Sequence, residues 1–156
     1  MNIGRQNVIC TYCEAPHHRF RGHPESPERI HGLRDWLTQP PYPEMSWLEF
    51  RPASEKDVSL IHTQAHLEFL RNECQRGSHQ FEYSPSYVTG SSYEDALSAV
   101  GGTLAVSRKI TASDSGRGFA IVRPPGHHAT GTQSMGFCLL NNIAIAGDDT
   151  NTVNPI

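Results

Sequence analysis

Phe119-Ala120-Ile121-Val122 is a short apolar run, and Arg123-Pro124-Pro125-Gly126-His127-His128-Ala129 follows it directly. No other stretch limits the fold so tightly. Four consecutive apolar residues bounded by turn signals read as a buried strand. Two prolines then forbid both a ladder hydrogen bond and a helix. Gly126 permits a backbone turn that a residue with a Cβ resists. The chain therefore leaves a strand tip in a stiff loop and presents two adjacent imidazoles. In open α/β sheets, loops at the carboxyl ends of strands carry the chemistry. Two neighbouring histidines there can ligate a metal, shuttle protons or sit on the surface. A second glycine turn bearing an aromatic ring and a thiol, Gly136-Phe137-Cys138, lies close behind.

The rest of the chain reads as alternating short strands and helices. Asn7 to Tyr12 is β-branched and apolar, a first strand. Cys10 and Cys13 with His17 and His18 imitate half of a zinc-finger pattern whose second half is missing, so they read as a strand residue and a loop thiol. Ser26-Pro27-Glu28 has a helix cap, a first-turn proline and an acidic residue, and Ile30, Leu33, Trp36 and Leu37 supply an apolar face. Thr38 to Glu44 is a proline-rich loop. Leu48-Glu49-Phe50 reads as a short strand, and Ser54 caps a helix with Glu55 and Asp57 in its first turn.

His62 and His66 are spaced four apart, but Thr63 stands where a zinc-protease motif needs a glutamate, so both read as structural. Asn72 to Gly90 is a long polar loop. Ser91 opens a long helix whose stripe runs from Ala96 to Ile110, with Gly101 and Gly102 admitting close packing. Asp114 to Gly118 is the turn into the central strand. Leu139 to Ala146 reads as a buried helix, and residues 147–156 as a disordered tail.

Several function classes are excluded on bulk grounds. A net charge of −3 offers no polyanion-binding surface, which argues against direct nucleic-acid binding. No run approaches the length of a membrane span. No secretory signal opens the chain, and four cysteines without framework spacing suit free thiols in a reducing compartment, the cytoplasm or nucleus. With 156 residues there is material for one domain.

Arg123 to Ala129, Gly136-Phe137-Cys138 and Asn141-Asn142-Ile143-Ala144-Ile145-Ala146 together resemble the histone deacetylase family, closer to its class II, acetoin-utilisation and acetylpolyamine amidohydrolase branch than to class I. His23-Pro24-Glu25-Ser26-Pro27-Glu28-Arg29 and Ile61-His62-Thr63 extend the likeness, which runs from Thr11 to Ala146. The resemblance implies a three-layer α/β arginase/deacetylase-like fold with a mainly parallel sheet, here the N-terminal half only: residues 1–146 as a partial domain.

It further implies zinc-dependent hydrolysis of acetyl-lysine or a related acetylated amine. His127 and His128 match the catalytic pair beside the metal-bound water, the second as general base and then acid, the first as electrostatic partner. Gly136 and Phe137 match the wall of the substrate tunnel. Arg29 matches an arginine of the inner channel, and Cys138 a buried thiol near the metal. Pro85 sits where the family usually carries a substrate-gripping aspartate.

The family's zinc ligands, an Asp-x-His pair and one further aspartate, have no counterpart, since no histidine follows His128. No metal-binding residue is therefore assigned in this chain. The expectation is a chain that holds the proton-transfer half of a site and is inactive alone. Two alternatives stay open. One is a deacetylase-like binding module that forms a homo-oligomer or pairs with a deacetylase partner. The other is a thiol hydrolase built on Cys138 with His127 or His128.

Overall fold

Two runs more than a hundred residues apart become neighbours in the computed structural model, which describes residues 8–42, 44–113 and 116–153. Val8–Cys13 (β1) and Arg117–Val122 (β5) run parallel and in register from Val8↔Arg117 to Cys13↔Val122. Met45–Trp47 (β2) joins the other side of β1, from Val8↔Met45 to Cys10↔Trp47. The result is a three-stranded parallel sheet of order β2-β1-β5. Parallel neighbours require a long connection between them. The next elements fill those connections: Leu33–Leu37 (α1), Glu55–Val58 (α2), Gln64–Gln75 (α3), the antiparallel pair His79–Gln80 (β3) and Tyr87–Val88 (β4), and Ser92–Thr111 (α4); Asn142–Val153 (α5) follows β5.

α4 lies on β1 and β5 and packs beside α5. Its two glycines are needed for close approach: a Cβ on Gly101 would stand 2.0 Å from Arg51 O, and one on Gly102 3.1 Å from Val122 Cγ1. The core gathers Val58, Leu67, Leu70, Val100, Leu104 and Leu139. Ser54 caps α2 with a reciprocal box to Asp57, as the sequence anticipates.

Several expectations need correction. The strand before residue 50 is β2, not Leu48–Phe50; its ladder ends where Leu48 N–H donates to Cys10 O, and Phe50 turns toward Gly102 instead. The helix expected from Ser26 is broken. Pro27–Arg29 forms one 3-10 turn, Gly32 sits at φ +71°, and α1 restarts beyond it with no buried residue, leaving Trp36 exposed against Tyr42. The long loop after Asn72 is shortened by the end of α3 and by the β3–β4 pair, which bury Phe81, Tyr87 and Val88.

Residues 147–153 are not a disordered tail, because α5 continues through them and Asp149 is buried in a bidentate pair with Arg108 (2.7 and 2.8 Å). β5 is not fully buried either: among the described residues it is an edge strand, and Phe119 is 55% exposed. Asn7, Asp114 with Ser115 of the turn before β5, and residues 154–156 of the expected tail lie outside the described residues.

Candidate functional site

The loop after β5 places its two imidazoles side by side. Arg123–Pro124 is a cis peptide, and the rings of His127 and His128 lie 4.3 Å apart, centroid to centroid, at 49°. Both are solvent-accessible. Gly126 is required for a reason other than a left-handed turn. A Cβ there would meet Asn142 Oδ1 at 2.1 Å and Leu140 O at 2.5 Å, so the loop is pressed onto the start of α5. Gly136 does need a positive φ, +55°, and a Cβ on it would stand 2.6 Å from His128 Cδ2. His128 thus rests on a bare backbone.

Phe137 follows at φ +73°, an uncommon conformation for an aromatic residue. It is held by its N–H donating to Ser86 Oγ (3.1 Å) and by the edge-on ring of His23 (4.7 Å). A pocket of about 350 Å³ opens between these groups, with His127, His128, Gly136 and Phe137 on one side and Pro24 and Arg29 on the other. Five of the six residues singled out in the sequence therefore share one cavity. Cys138 lies directly behind it.

The thiol of Cys138 is not built as a nucleophile. It is fully buried, burial pushes its pKa up, and its sulfur accepts from His128 N–H (3.4 Å) and faces Gly136 O (3.5 Å). A nucleophilic thiolate needs exposure and a lowered pKa. The thiol-hydrolase alternative is set aside on that geometry. Pro85 contributes a backbone carbonyl, which accepts from His23 Nε2 (2.7 Å).

A buried polar network under the pocket escaped the sequence reading. Arg123 is 1% exposed and grips Glu25 with two parallel bonds, Nε to Oε1 at 2.6 Å and Nη2 to Oε2 at 2.8 Å. Its remaining donors reach Glu14 O (2.6 Å) and His18 O (2.9 Å). Glu25 also faces Arg29 Nη1 (3.4 Å), His18 Nε2 (3.3 Å) and the Tyr87 hydroxyl (3.2 Å). Burial by itself would raise the Glu25 pKa, but the bonds from His18 and Arg123 outweigh it and hold the carboxyl down at about 2. His18 Nδ1 continues to Ser92 Oγ (2.6 Å) at the start of α4. The available signal was the pair of charged residues bracketing apolar and proline-rich segments: Arg123 straight after a strand, and Glu25 between two prolines.

His62 and His66 are buried and serve the backbone. His62 Nε2 accepts from Asn141 N–H (2.8 Å), and His66 Nε2 donates to Leu139 O (3.1 Å). Together they brace the segment that returns from the pocket to α5. Burial lowers the pKa of both, that of His62 to about 4 with the neighbouring His66 contributing.

Among the described residues, no three His, Cys, Asp or Glu side chains come together as a metal-holding group. A catalytic zinc takes three protein ligands, so the described side chains do not match that donor set. Among the described residues, no helix is long and apolar enough to cross a membrane. A second, larger cavity of about 590 Å³ runs along the free edge of β5 between α4 and α5, past Phe119 and Ile143 and up to His127. His127 lines both cavities.

Comparison with known proteins gives a consistent picture. Residues 23–152 match the model of the histone deacetylase domain. Histone deacetylase 5 of Arabidopsis thaliana is 34% identical over 131 residues, covering 80% of this chain and 20% of that protein. A probable deacetylase of Methanothermobacter thermautotrophicus is 39% identical over 90 residues, covering 58% of this chain and 26% of its own. The crystal structure of the HDA15 HD domain superposes with a TM-score of 0.81 at 26% identity, over 96% of this chain and 44% of that one. The chain thus spans less than half the length of these relatives, from 20% to 44%. Its parallel sheet and covering helices form part of a three-layer arginase/deacetylase-like α/β fold.

Proposed function

The chain belongs to the histone deacetylase family, and from that premise we propose that its pocket handles the amide of an acetylated lysine or a related acetylated amine. What supports the reading is one observation: two imidazoles 4.3 Å apart, a flanking phenyl ring and an arginine share a single cavity. Hydrolysis of such an amide needs a group that takes a proton from water and returns it to the departing nitrogen. His128 fills that role; as the C–N bond breaks, the proton it took moves to the amine and the acetyl group leaves as acetate. His127 stabilises the charge on its neighbour. Phe137 flanks the aliphatic stem of the substrate.

Zinc is the metal of the family, but no step is assigned to it here, since the described side chains do not supply its ligand set. On this reading the 156-residue chain alone carries the acid–base part of a deacetylase site and turns over no substrate. An acetyl-lysine peptide assay in zinc-containing buffer, with wild type and His128→Ala, tests it. Background rates for both are expected. Turnover abolished in His128→Ala would keep the histidine assignment and overturn the inactivity; turnover surviving in that variant would overturn the assignment.

A second reading, a deacetylase-like module that pairs with a partner chain, is favoured by Phe119 and Ile143, 55% and 63% exposed along the β5 groove. Association of the purified chain with itself or with a full-length deacetylase would carry it. Residence in the cytoplasm or nucleus belongs to the same proposal and is read by microscopy of a fluorescent fusion.

A further inference from the structure

Glu25 lines the pocket and is linked to each of its walls, directly or through a neighbouring side chain. Its carboxylate takes both forks of Arg123, the residue at the root of the histidine loop. The same Oε1 faces the guanidinium of Arg29, which lines the cavity and is half exposed. Its Oε2 receives the Tyr87 hydroxyl, and Tyr87 follows Ser86, whose Oγ holds Phe137 N–H. Its backbone N–H donates to His23 Nδ1 (3.1 Å), and the His23 ring packs edge-on against Phe137 (4.7 Å). The histidine loop and Phe137 belong to one part of the chain, the Arg29 turn to a second and Ser86–Tyr87 to a third. One fully buried anion contacts a residue of each: Arg123, Arg29 and Tyr87.

A bidentate guanidinium–carboxylate pair fixes both distance and plane, and a lysine cannot reproduce its fork. The pair is wholly desolvated, so solvent neither screens it nor substitutes for a missing partner. Arg123 shares its other donors with the carbonyls of Glu14, Ala15 and His18, so rotation about the pair is blocked as well.

We propose that Glu25, acting through Arg123, is the positioning residue of this site: it sets where the His127–His128 loop stands relative to Arg29 and Phe137. The proposal rests on the reading that the histidine pair is the working end of the pocket, but its test needs no turnover. Imidazole ¹H–¹⁵N spectra of the 156-residue chain, with the nuclear Overhauser contact between the two rings, report loop geometry directly. Arg123→Lys keeps charge and loses the fork; Tyr87→Phe keeps the ring and loses the hydroxyl that is shared among His18 O (2.9 Å), Glu25 O (3.1 Å) and Glu25 Oε2 (3.2 Å). Leu104→Ala, a core change away from the network, controls for general loosening.

The expected result is loss of the ring-to-ring contact and displaced His127 and His128 resonances in Arg123→Lys. The same resonances shift less in Tyr87→Phe and keep their wild-type positions in Leu104→Ala. Unchanged histidine spectra in Arg123→Lys, or equal changes in Leu104→Ala, would overturn the proposal. Should Arg123→Lys fail to fold, Tyr87→Phe against Leu104→Ala decides on the same criterion. Loss of acetyl-lysine binding with intact ring geometry would count against the functional reading alone.

Discussion

Gly136 shows how one missing carbon shapes the pocket. Its φ of +55° and the 2.6 Å approach of His128 Cδ2 both exclude a side chain. Gly136→Ala should cost more than about 1 kcal/mol in denaturant unfolding, because the new Cβ must adopt a disfavoured conformation as well as displace a ring. The same change should move the His128 imidazole resonances. Acid sensitivity also belongs to individual residues. Burial lowers the His62 pKa to about 4 from an ordinary 6.5, so between those values the unfolded state binds the proton that the native state refuses. His66 shifts in the same direction. Glu25 is held at about 2 against 4.5, so its contribution is present above pH 4.5 and lost as pH falls toward 2. Both effects lower stability on acidification. Urea midpoints should fall steadily from pH 7 to pH 4, and His62→Gln should flatten the curve between 6.5 and 4. A midpoint that held or rose over that span would contradict the burial of neutral imidazoles.

At the scale of elements, packing decides against propensity. Alanine is the better helix former by about 1 kcal/mol, yet Gly101→Ala in α4 puts a Cβ 2.0 Å from Arg51 O, a backbone atom that cannot swing away. Overpacking of this kind typically costs about 1–3 kcal/mol, so the expected sign is destabilising, read as a lower thermal midpoint. The buried pair that joins the histidine loop to the Pro24–Arg29 segment should be costlier to break. Glu25→Ala leaves Arg123 buried and unpaired, a loss of about 3–5 kcal/mol by denaturant titration.

The same scale shows what the sequence made legible. β1, α2, α4 and the strand–proline–histidine corner follow from local pattern and capping, and the structure has them. The helix expected after Ser26 fails because Gly32 adopts φ +71° and splits it. The tail expected after Ala146 is helical because Arg108, forty-one residues earlier, ion-pairs with Asp149. The Arg123–Glu25 bond spans 98 residues. Such long-range charge pairs leave no periodic trace in a single sequence, so they escape any local reading.

The molecule as a whole presents, among the described residues, a parallel sheet with two edge strands, β2 and β5. Among the described residues β5 pairs with β1 alone, and Phe119 and Ile143 stand exposed beside a groove of about 590 Å³ that reaches His127. Edge strands with apolar side chains are templates for association. Phe119→Lys should leave the unfolding free energy within about 0.5 kcal/mol of wild type, as an exposed site allows, while reducing any self-association seen by sedimentation. Concentration-independent sedimentation of wild type would remove that reading of the edge. The pocket on the other side of His127 is tested by titrating the ¹⁵N-labelled chain with an acetyl-lysine peptide and with its unacetylated counterpart. Saturable shifts confined to His127, His128, Phe137 and Arg29, produced by the acetylated peptide alone, are the expected result. Equal shifts with both peptides, or none at these four residues, would contradict the assignment of this cavity to an acetylated amine.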